Sequence, residues 1–103
     1  MPSKSKPQVR LSGTAWDDLK RLPGNVRRQV IAAIDELESV PRPPNSKQLV
    51  VIDAQREARR MRLGHWRIVY LVREEQPLIL AIRRRPPYDY ADLESLIKQE
   101  VSD

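Results

Sequence analysis

Arginine is concentrated in one stretch of the sequence, residues 56–88. This stretch holds nine of the 19 lysine and arginine residues and only three acidic residues, so its net charge is +6, whereas the whole chain carries +5. The guanidinium group of arginine is a permanent cation, and its planar fork binds phosphate or carboxylate oxygens through paired hydrogen bonds. The stretch also reads as several β-strands joined by short turns. The sequence therefore predicts a sheet with an anion-binding surface.

The spacing of these arginines predicts that several of them share one face of the sheet. Alternate side chains of a strand point to the same side. A two-residue turn at Gly64-His65 would place Arg62 opposite Arg67. A four-residue loop at residues 74–77 would then place Arg84 opposite Arg67. The arginines expected on this face, at one end of three antiparallel strands, are Arg60, Arg62, Arg67 and Arg84.

Arginines that face one another across neighbouring strands need an explanation, because like charges directly opposite destabilise a sheet. We expect a fold that keeps them there to bind an anion. The competing interpretation is a solvated face whose arginine stems cover apolar surface. The residue assignment also depends on register, since a slip of one position would replace Arg84 by Arg83 or Arg85.

The residues before this stretch predict the elements that support the sheet. A short strand is expected at residues 8–11. Apolar residues at helical spacing predict a first helix that begins near Thr14 and ends at Pro23-Gly24. Thr14 is a weak candidate for its capping residue, and Trp16 is expected in the core. A second helix begins at Asn25 and ends before Pro41. Its core-facing stripe is Val26, Val30, Ala33, Ile34 and Leu37.

The middle strand and the end of the chain complete the expected layers. The strand at residues 65–73 is apolar on both faces, so it should be central and covered. No strand assignment is made for residues 45–55. The segment 91–101 predicts an acidic helix, behind a cap at Asp89, that folds back over the basic sheet.

Length and composition limit the class of protein. A chain of 103 residues is expected to form one domain, at residues 8–103, after a flexible basic tail at residues 1–7. The absence of cysteine excludes disulfides, thiol nucleophiles and thiolate metal sites. No membrane span, secretory signal, metal cluster or Gly-rich phosphate loop is recognised. We therefore expect a cytoplasmic protein without a metal or cofactor, and a sequence pI near 10 favours nucleic acid or an acidic protein as partner.

Two motifs resemble those of the RelE/ParE superfamily of type II toxins, and of its RelE branch in particular. They are an arginine-x-arginine, glycine-x-aromatic-arginine hairpin at residues 60–70 and an arginine-to-tyrosine element at residues 82–88. Weaker similarity extends back through both helices to Lys47. The resemblance implies an α+β fold, with a curved antiparallel sheet of three to four strands, an N-terminal helical hairpin packed on it and a C-terminal helix.

The resemblance also implies an activity, ribosome-dependent cleavage of mRNA in the ribosomal A site, and a cognate antitoxin that blocks it. The 2′-hydroxyl of the RNA attacks the neighbouring phosphate, so no metal or cofactor is required. By position, Arg67 and Arg84 would hold the scissile phosphate, while Tyr88 would stack on a nucleotide, orient it or help to move a proton. The residues implied to line the RNA groove are Arg60, Arg62 and Lys47, and Arg85 and Tyr90 are the register alternatives.

The general base is left open, and two other functions compete with RNA cleavage. Some members have lysines where Arg60 and Arg62 stand, and arginine is a poor base because it stays protonated. His65 is a candidate because histidine is the usual general base near neutral pH, but it is also a normal polar turn residue; Glu57 is a further candidate. The competing functions are a ParE-like inhibitor of DNA gyrase, which generally lacks this arginine and tyrosine set, and a non-catalytic RNA- or protein-binding member of the fold.

Overall fold

A five-stranded sheet and three helices make up residues 9–101, the part of the chain that the computed structural model describes. The elements are β1 (Arg10–Leu11), α1 (Gly13–Lys20), α2 (Gly24–Ser39), β2 (Ser46–Asp53), β3 (Arg56–Leu63), β4 (Trp66–Arg73), β5 (Gln76–Arg84) and α3 (Leu93–Val101). The strand order is β1-β5-β4-β3-β2, and only the β1–β5 pair is parallel. The predicted α+β class is confirmed, with one strand more than expected. The predicted tail, residues 1–7, lies outside the described residues.

Helix α1 begins earlier than the sequence suggested, and its capping residue is Ser12 rather than Thr14. The Ser12 hydroxyl accepts a hydrogen bond from the Ala15 N–H at 3.1 Å and donates one to the Leu80 carbonyl at 3.1 Å. The prediction that Trp16 lies in the core is wrong, because its side chain is 51% exposed. This short helix buries Ala15 and Leu19 instead, and Trp16 lies on the neighbouring side of the helix.

Helix α2 follows the prediction closely. Its buried residues are Val30, Ala33, Ile34 and Leu37, and they pack with α1 on one face of the sheet. Proline-rich sequence after Val40 prevents the helix from continuing. The buried Tyr70 of β4 donates its hydroxyl proton to the Pro41 carbonyl at 2.7 Å, so the segment after α2 is tied to the middle strand.

Strand β4 is central, as predicted, and both of its faces are buried. Ile68, Tyr70 and Val72 pack against the cluster that contains α1 and α2. Val69 and Leu71 belong to a second cluster, which α3 covers with Leu93, Leu96 and Ile97. The prediction that the C-terminal helix folds back over the sheet is therefore confirmed. The Asp89 carboxylate caps the turn at Ala91 rather than the helix itself.

The β3–β4 register is the predicted one, whereas the β4–β5 register is not. The turn between β4 and β5 contains only Glu74 and Glu75, with φ values of 50° and 65°. Pro77 is already part of β5, and a register shift lies at Val69/Tyr70. Together these features place Arg67 opposite Arg83 rather than opposite Arg84.

Strand β2 forms one outer edge of the sheet and is irregular. Its pairing with β3 shifts between Gln48 and Val50 and again between Val51 and Asp53. Val50 and Val51 are both exposed. None of the helices within residues 9–101 has the length and apolarity needed to cross a membrane.

Candidate functional site

Five cationic side chains lie on one face of the sheet, the face that α3 partly covers. Lys47 of β2 is opposite Arg60 of β3. In the next row, Arg62 of β3 is opposite Arg67 of β4, which is opposite Arg83 of β5. We call these five residues the basic face. The structure thus brings together four of the residues predicted to bind RNA or phosphate, and it adds Arg83.

Most of the charge on the basic face is not balanced by the protein itself. Within residues 9–101, Lys47, Arg60, Arg62 and Arg67 form no ion pair with a carboxylate. Other arginines do find such partners: the Arg42 side chain contacts Glu57 at 2.6 Å and Glu75 at 2.7 Å. Adjacent cations without counter-charges repel one another, and a bound polyanion would relieve that repulsion.

Arg67 is anchored at the tip of the β3–β4 hairpin. Its Nη1 donates to the Gly64 carbonyl at 2.9 Å and to the Trp66 carbonyl at 3.1 Å. The side chain is half-buried. A guanidinium group has five N–H donors. The backbone therefore holds Arg67 in place through one nitrogen, while the other donors remain for an anion.

Arg83 differs from its neighbours because two carboxylates hold it. Its Nε donates to Asp18 Oδ2 at 2.9 Å, and its Nη1 donates to Asp92 Oδ2 at 3.2 Å. The guanidinium also lies 5.5 Å from the centre of the Tyr88 ring. Sequence reasoning considered Arg83 only as a register alternative and did not consider either aspartate. No local pattern pairs Asp18 with Arg83, because they are 65 residues apart.

Arg84 does not lie on the basic face, so that prediction is wrong. It is opposite Trp66, on the face that α1 and α2 cover, because the β4–β5 register differs from the predicted one. Arg84 is nevertheless exposed, and as the last residue of β5 it lines a surface cavity of about 430 Å³. The residues around this cavity are Arg83, Arg84, Pro87, Tyr88, Asp89, Ala91 and Asp92. The structure thus brings Arg84 and Tyr88 together beside the basic face.

Tyr88 is half-buried in the wall of this cavity. Its hydroxyl donates to Asp92 Oδ1 at 2.7 Å, and its ring meets the Tyr90 ring edge-on at 4.8 Å between centres. Burial, followed by the hydrogen bond to the Asp92 carboxylate, raises the pKa of the Tyr88 phenol. Tyr88 therefore stays protonated at neutral pH, so it is suited to donating a hydrogen bond and not to acting as a base.

The remaining predicted residues, His65, Arg85 and Glu57, are not among those that line the cavity beside Tyr88. His65 is exposed in the β3–β4 turn, and its carbonyl accepts the Arg85 N–H at 2.7 Å. The Arg85 guanidinium lies 5.4 Å from the centre of the Tyr90 ring. Glu57 is opposite Val72, on the other face of the sheet from Arg60 and Arg62, and it is bound by Arg42. Within residues 9–101, no cluster of three or more potential metal ligands is found.

Comparison with known proteins places the chain among toxins of type II toxin–antitoxin systems. Residues 9–86 match the family described as ParE toxin of type II toxin-antitoxin system, parDE. No curated protein matches the sequence. The fold is similar to that of the RelE–RelB complex from Pyrococcus horikoshii, with a TM-score of 0.72 and 24% identity over 82% of this chain and 100% of that one.

Two further solved structures show the same fold. The RelBE2 toxin–antitoxin complex from Mycobacterium tuberculosis has a TM-score of 0.60 and 27% identity, covering 79% of this chain and 100% of that one. The isolated RelE toxin of E. coli has a TM-score of 0.60 and 15% identity, covering 90% of this chain and 97% of that one. The basic face therefore lies on a fold that these toxins share.

Proposed function

The chain belongs to the ParE toxin family of type II toxin–antitoxin systems, and we propose that it acts in the cytoplasm as a ribosome-dependent endoribonuclease that cleaves translated mRNA. One observation carries this proposal: four adjacent cations of the basic face, Lys47, Arg60, Arg62 and Arg67, have no carboxylate partner within residues 9–101. Like charges that face each other across strands destabilise a sheet unless an anion binds between them. An RNA backbone supplies the closely spaced negative charges that such a set of cations fits.

The proposed reaction is an attack of the 2′-hydroxyl on the adjacent phosphate. The 2′-hydroxyl gives its proton to a base as its oxygen forms a bond to phosphorus. The bond to the leaving 5′-oxygen breaks and that oxygen takes up a proton, which gives a cyclic phosphate and a free 5′-hydroxyl. Negative charge builds up on the phosphorane oxygens, and fixed cations lower the energy of that state. Arg67, held by backbone carbonyls, and the exposed Arg84 would supply these cations. Lys47, Arg60 and Arg62 would guide the RNA backbone across the sheet.

Tyr88 and His65 have different roles in this proposal. Tyr88 keeps its proton, for the reasons given above, so it would orient a nucleotide by stacking or by hydrogen bonding. The candidate for the base is His65, the single histidine of the chain and the side-chain type that most often serves as a general base. It lies in the turn next to Gly64, whose carbonyl holds Arg67. Glu57 is dropped because it lies on the other face of the sheet.

Primer extension on mRNA in a translating extract tests the proposed function directly. We expect the wild-type protein to cut translated messages within their coding regions, and to leave the same messages uncut when translation is blocked. Equal cutting with and without translation would contradict the requirement for a ribosome. Intact mRNA in both reactions would contradict the nuclease proposal itself.

A second candidate function, inhibition of DNA gyrase, is favoured by the description of the matching family as ParE toxins. A supercoiling assay with purified gyrase distinguishes the two. Loss of supercoiling activity together with intact mRNA would establish the gyrase function. If neither mRNA nor supercoiling changes, the basic face is a binding surface without catalysis.

We further propose that a cognate antitoxin covers the basic face with an amphipathic, acid-bearing segment and displaces α3 as it binds. The motivation is the charge distribution: the strands are basic, whereas residues 89–103 contain five acidic residues and one lysine. An incoming acidic segment would replace α3, which already packs on this side of the sheet. The complementary charges would also speed association at low salt.

Reversing two charges on the basic face should weaken antitoxin binding. We expect the double variant Arg60→Glu/Arg62→Glu to raise the Kd at least about tenfold, because two attractive contacts become repulsive. Binding is measured by titration of the purified antitoxin. The matched control is Lys20→Glu/Arg28→Glu, which changes the net charge equally at two exposed helix positions. If the control loses more affinity than the test variant, the antitoxin binds the helices and leaves the sheet open.

A further inference from the structure

A relay of hydrogen bonds connects helix α1 to Tyr88 across the end of the sheet. It starts at Asp18 Oδ2, which accepts the Ile82 N–H at 3.0 Å and Arg83 Nε at 2.9 Å. Arg83 then donates from Nη1 to Asp92 Oδ2 at 3.2 Å. The second oxygen of Asp92, Oδ1, accepts the Tyr88 hydroxyl at 2.7 Å. Asp92 therefore contacts both Arg83 and Tyr88.

The geometry of the relay restricts the movement of Tyr88. The Asp18 side chain is only 11% exposed, so its pair with Arg83 is screened less than a surface ion pair. Hydrogen bonds between charged groups are also shorter and stronger than neutral ones. Since both Asp92 oxygens are engaged by different partners, the carboxylate has one orientation that satisfies both. That orientation fixes the position of the Tyr88 hydroxyl at the cavity.

Asp92 also links this position to helix α3. It lies immediately before α3, and its carbonyl accepts the Leu96 N–H at 2.9 Å, as in a first helical turn. Leu96 is buried against the sheet, with Leu93 and Ile97 packed beside it. When α3 is docked, the Asp92 carboxylate is therefore held next to Tyr88 and Arg83. If α3 leaves the sheet, the carboxylate leaves with it.

We propose that Asp92 is a positioning residue, which holds the Tyr88 hydroxyl in one orientation and makes that orientation depend on the docking of α3. The proposal rests on the proposed nuclease function, in which Tyr88 contacts the nucleotide. It extends that function, because it makes the orientation of the Tyr88 hydroxyl depend on the position of α3, a helix to which we assign no catalytic side chain. Asp92 itself does not contact the RNA.

Single-turnover cleavage on programmed ribosomes gives the first test. We expect Asp92→Ala to lower the cleavage rate constant about tenfold at saturation, while the concentration for half-maximal rate changes less than twofold. Tyr88→Phe should lose a similar factor, and the double variant should be no slower than the slower single variant, since both changes remove the same contact. Multiplied losses in the double variant would overturn the proposal, because Asp92 would then act independently of Tyr88.

Two more variants separate positioning from charge and from folding. Glu94→Ala removes one negative charge from α3 at a position that is 84% exposed, and we expect it to cleave at the wild-type rate. Asp92→Asn keeps an acceptor oxygen for Tyr88. We therefore expect it to cleave at least threefold faster than Asp92→Ala. Equal losses in Glu94→Ala and Asp92→Ala, or no recovery in Asp92→Asn, would contradict positioning through the hydrogen bond.

Carbon-13 NMR of labelled tyrosine gives a readout that does not depend on cleavage. The chain contains three tyrosines, and the Cζ signal of Tyr88 is assigned by its loss in Tyr88→Phe. We expect this signal to move in Asp92→Ala and to stay in place in Glu94→Ala. An unchanged Tyr88 signal in Asp92→Ala would overturn the proposal. A moved signal in a protein that cuts no mRNA would instead uphold the contact and contradict the nuclease function.

Discussion

Replacing Arg67 by alanine is expected to lower the rate of mRNA cleavage by at least tenfold. The guanidinium is half-buried and held by the carbonyls of Gly64 and Trp66, so in the proposed reaction it would bind the phosphate without first having to be ordered. A tenfold loss corresponds to about 1.4 kcal/mol of transition-state stabilisation. The measurement is the primer-extension signal as a function of time in a translating extract. Arg84→Ala is expected to lose a similar factor.

Arg73→Ala is the matched control for Arg67→Ala. Arg73 lies on the same strand and the same face, and it is also half-buried. It is six residues away from Arg67, which is about 20 Å along a strand. We expect this variant to keep at least half of the wild-type rate. Equal losses in both variants would mean that total charge matters and that Arg67 has no special position at the phosphate.

Replacing Leu37 by alanine is expected to destabilise the protein by about 2–5 kcal/mol. Leu37 is fully buried in the cluster between α2 and the sheet, so the truncated side chain leaves a cavity that neighbouring residues fill only partly. The free energy of unfolding is measured by urea denaturation followed by tryptophan fluorescence. In a chain of this size, each kcal/mol lowers Tm by roughly 4–8 °C.

Ile31→Ala tests whether the loss at Leu37 comes from burial. Ile31 is on the same helix, but its side chain is 42% exposed. We expect a cost below about 1 kcal/mol, because less apolar surface returns to water and no closed cavity forms. A cost at Ile31 equal to that at Leu37 would contradict burial as the source of the loss, since helix propensity alone would favour alanine at both positions.

Turn chemistry explains which strand pairings were predictable. Gly64 has a φ of 62°, a conformation that glycine adopts without strain, and Gly64-His65 fixed the β3–β4 register correctly. Glu74 and Glu75 adopt similar angles, which glutamate seldom does, so nothing in their sequence indicated a two-residue turn. Pro77 suggested a longer loop but lies within β5.

The concentration of arginines was visible in the sequence, whereas their individual environments were not. Composition and alternation placed Arg60, Arg62 and Arg67 on one face correctly. The pairing of Arg83 with two aspartates depends on tertiary contacts between α1, β5 and the turn before α3. Helical periodicity likewise identified the stripe of α2 but not the exposure of Trp16, because a short helix buries only a narrow strip.

The two register shifts in β2 make this outer edge of the sheet a poor template for pairing with a second chain. A regular outer strand exposes an unbroken row of N–H and C=O groups, and such a row serves as a template for further strands. Val50 and Val51 would strengthen the pairing of another strand with this edge, because both are exposed and β-branched. The bulges at Gln48/Val50 and Val51/Asp53 interrupt the row and bend the strand. We therefore expect little edge-to-edge association of the chain through β2.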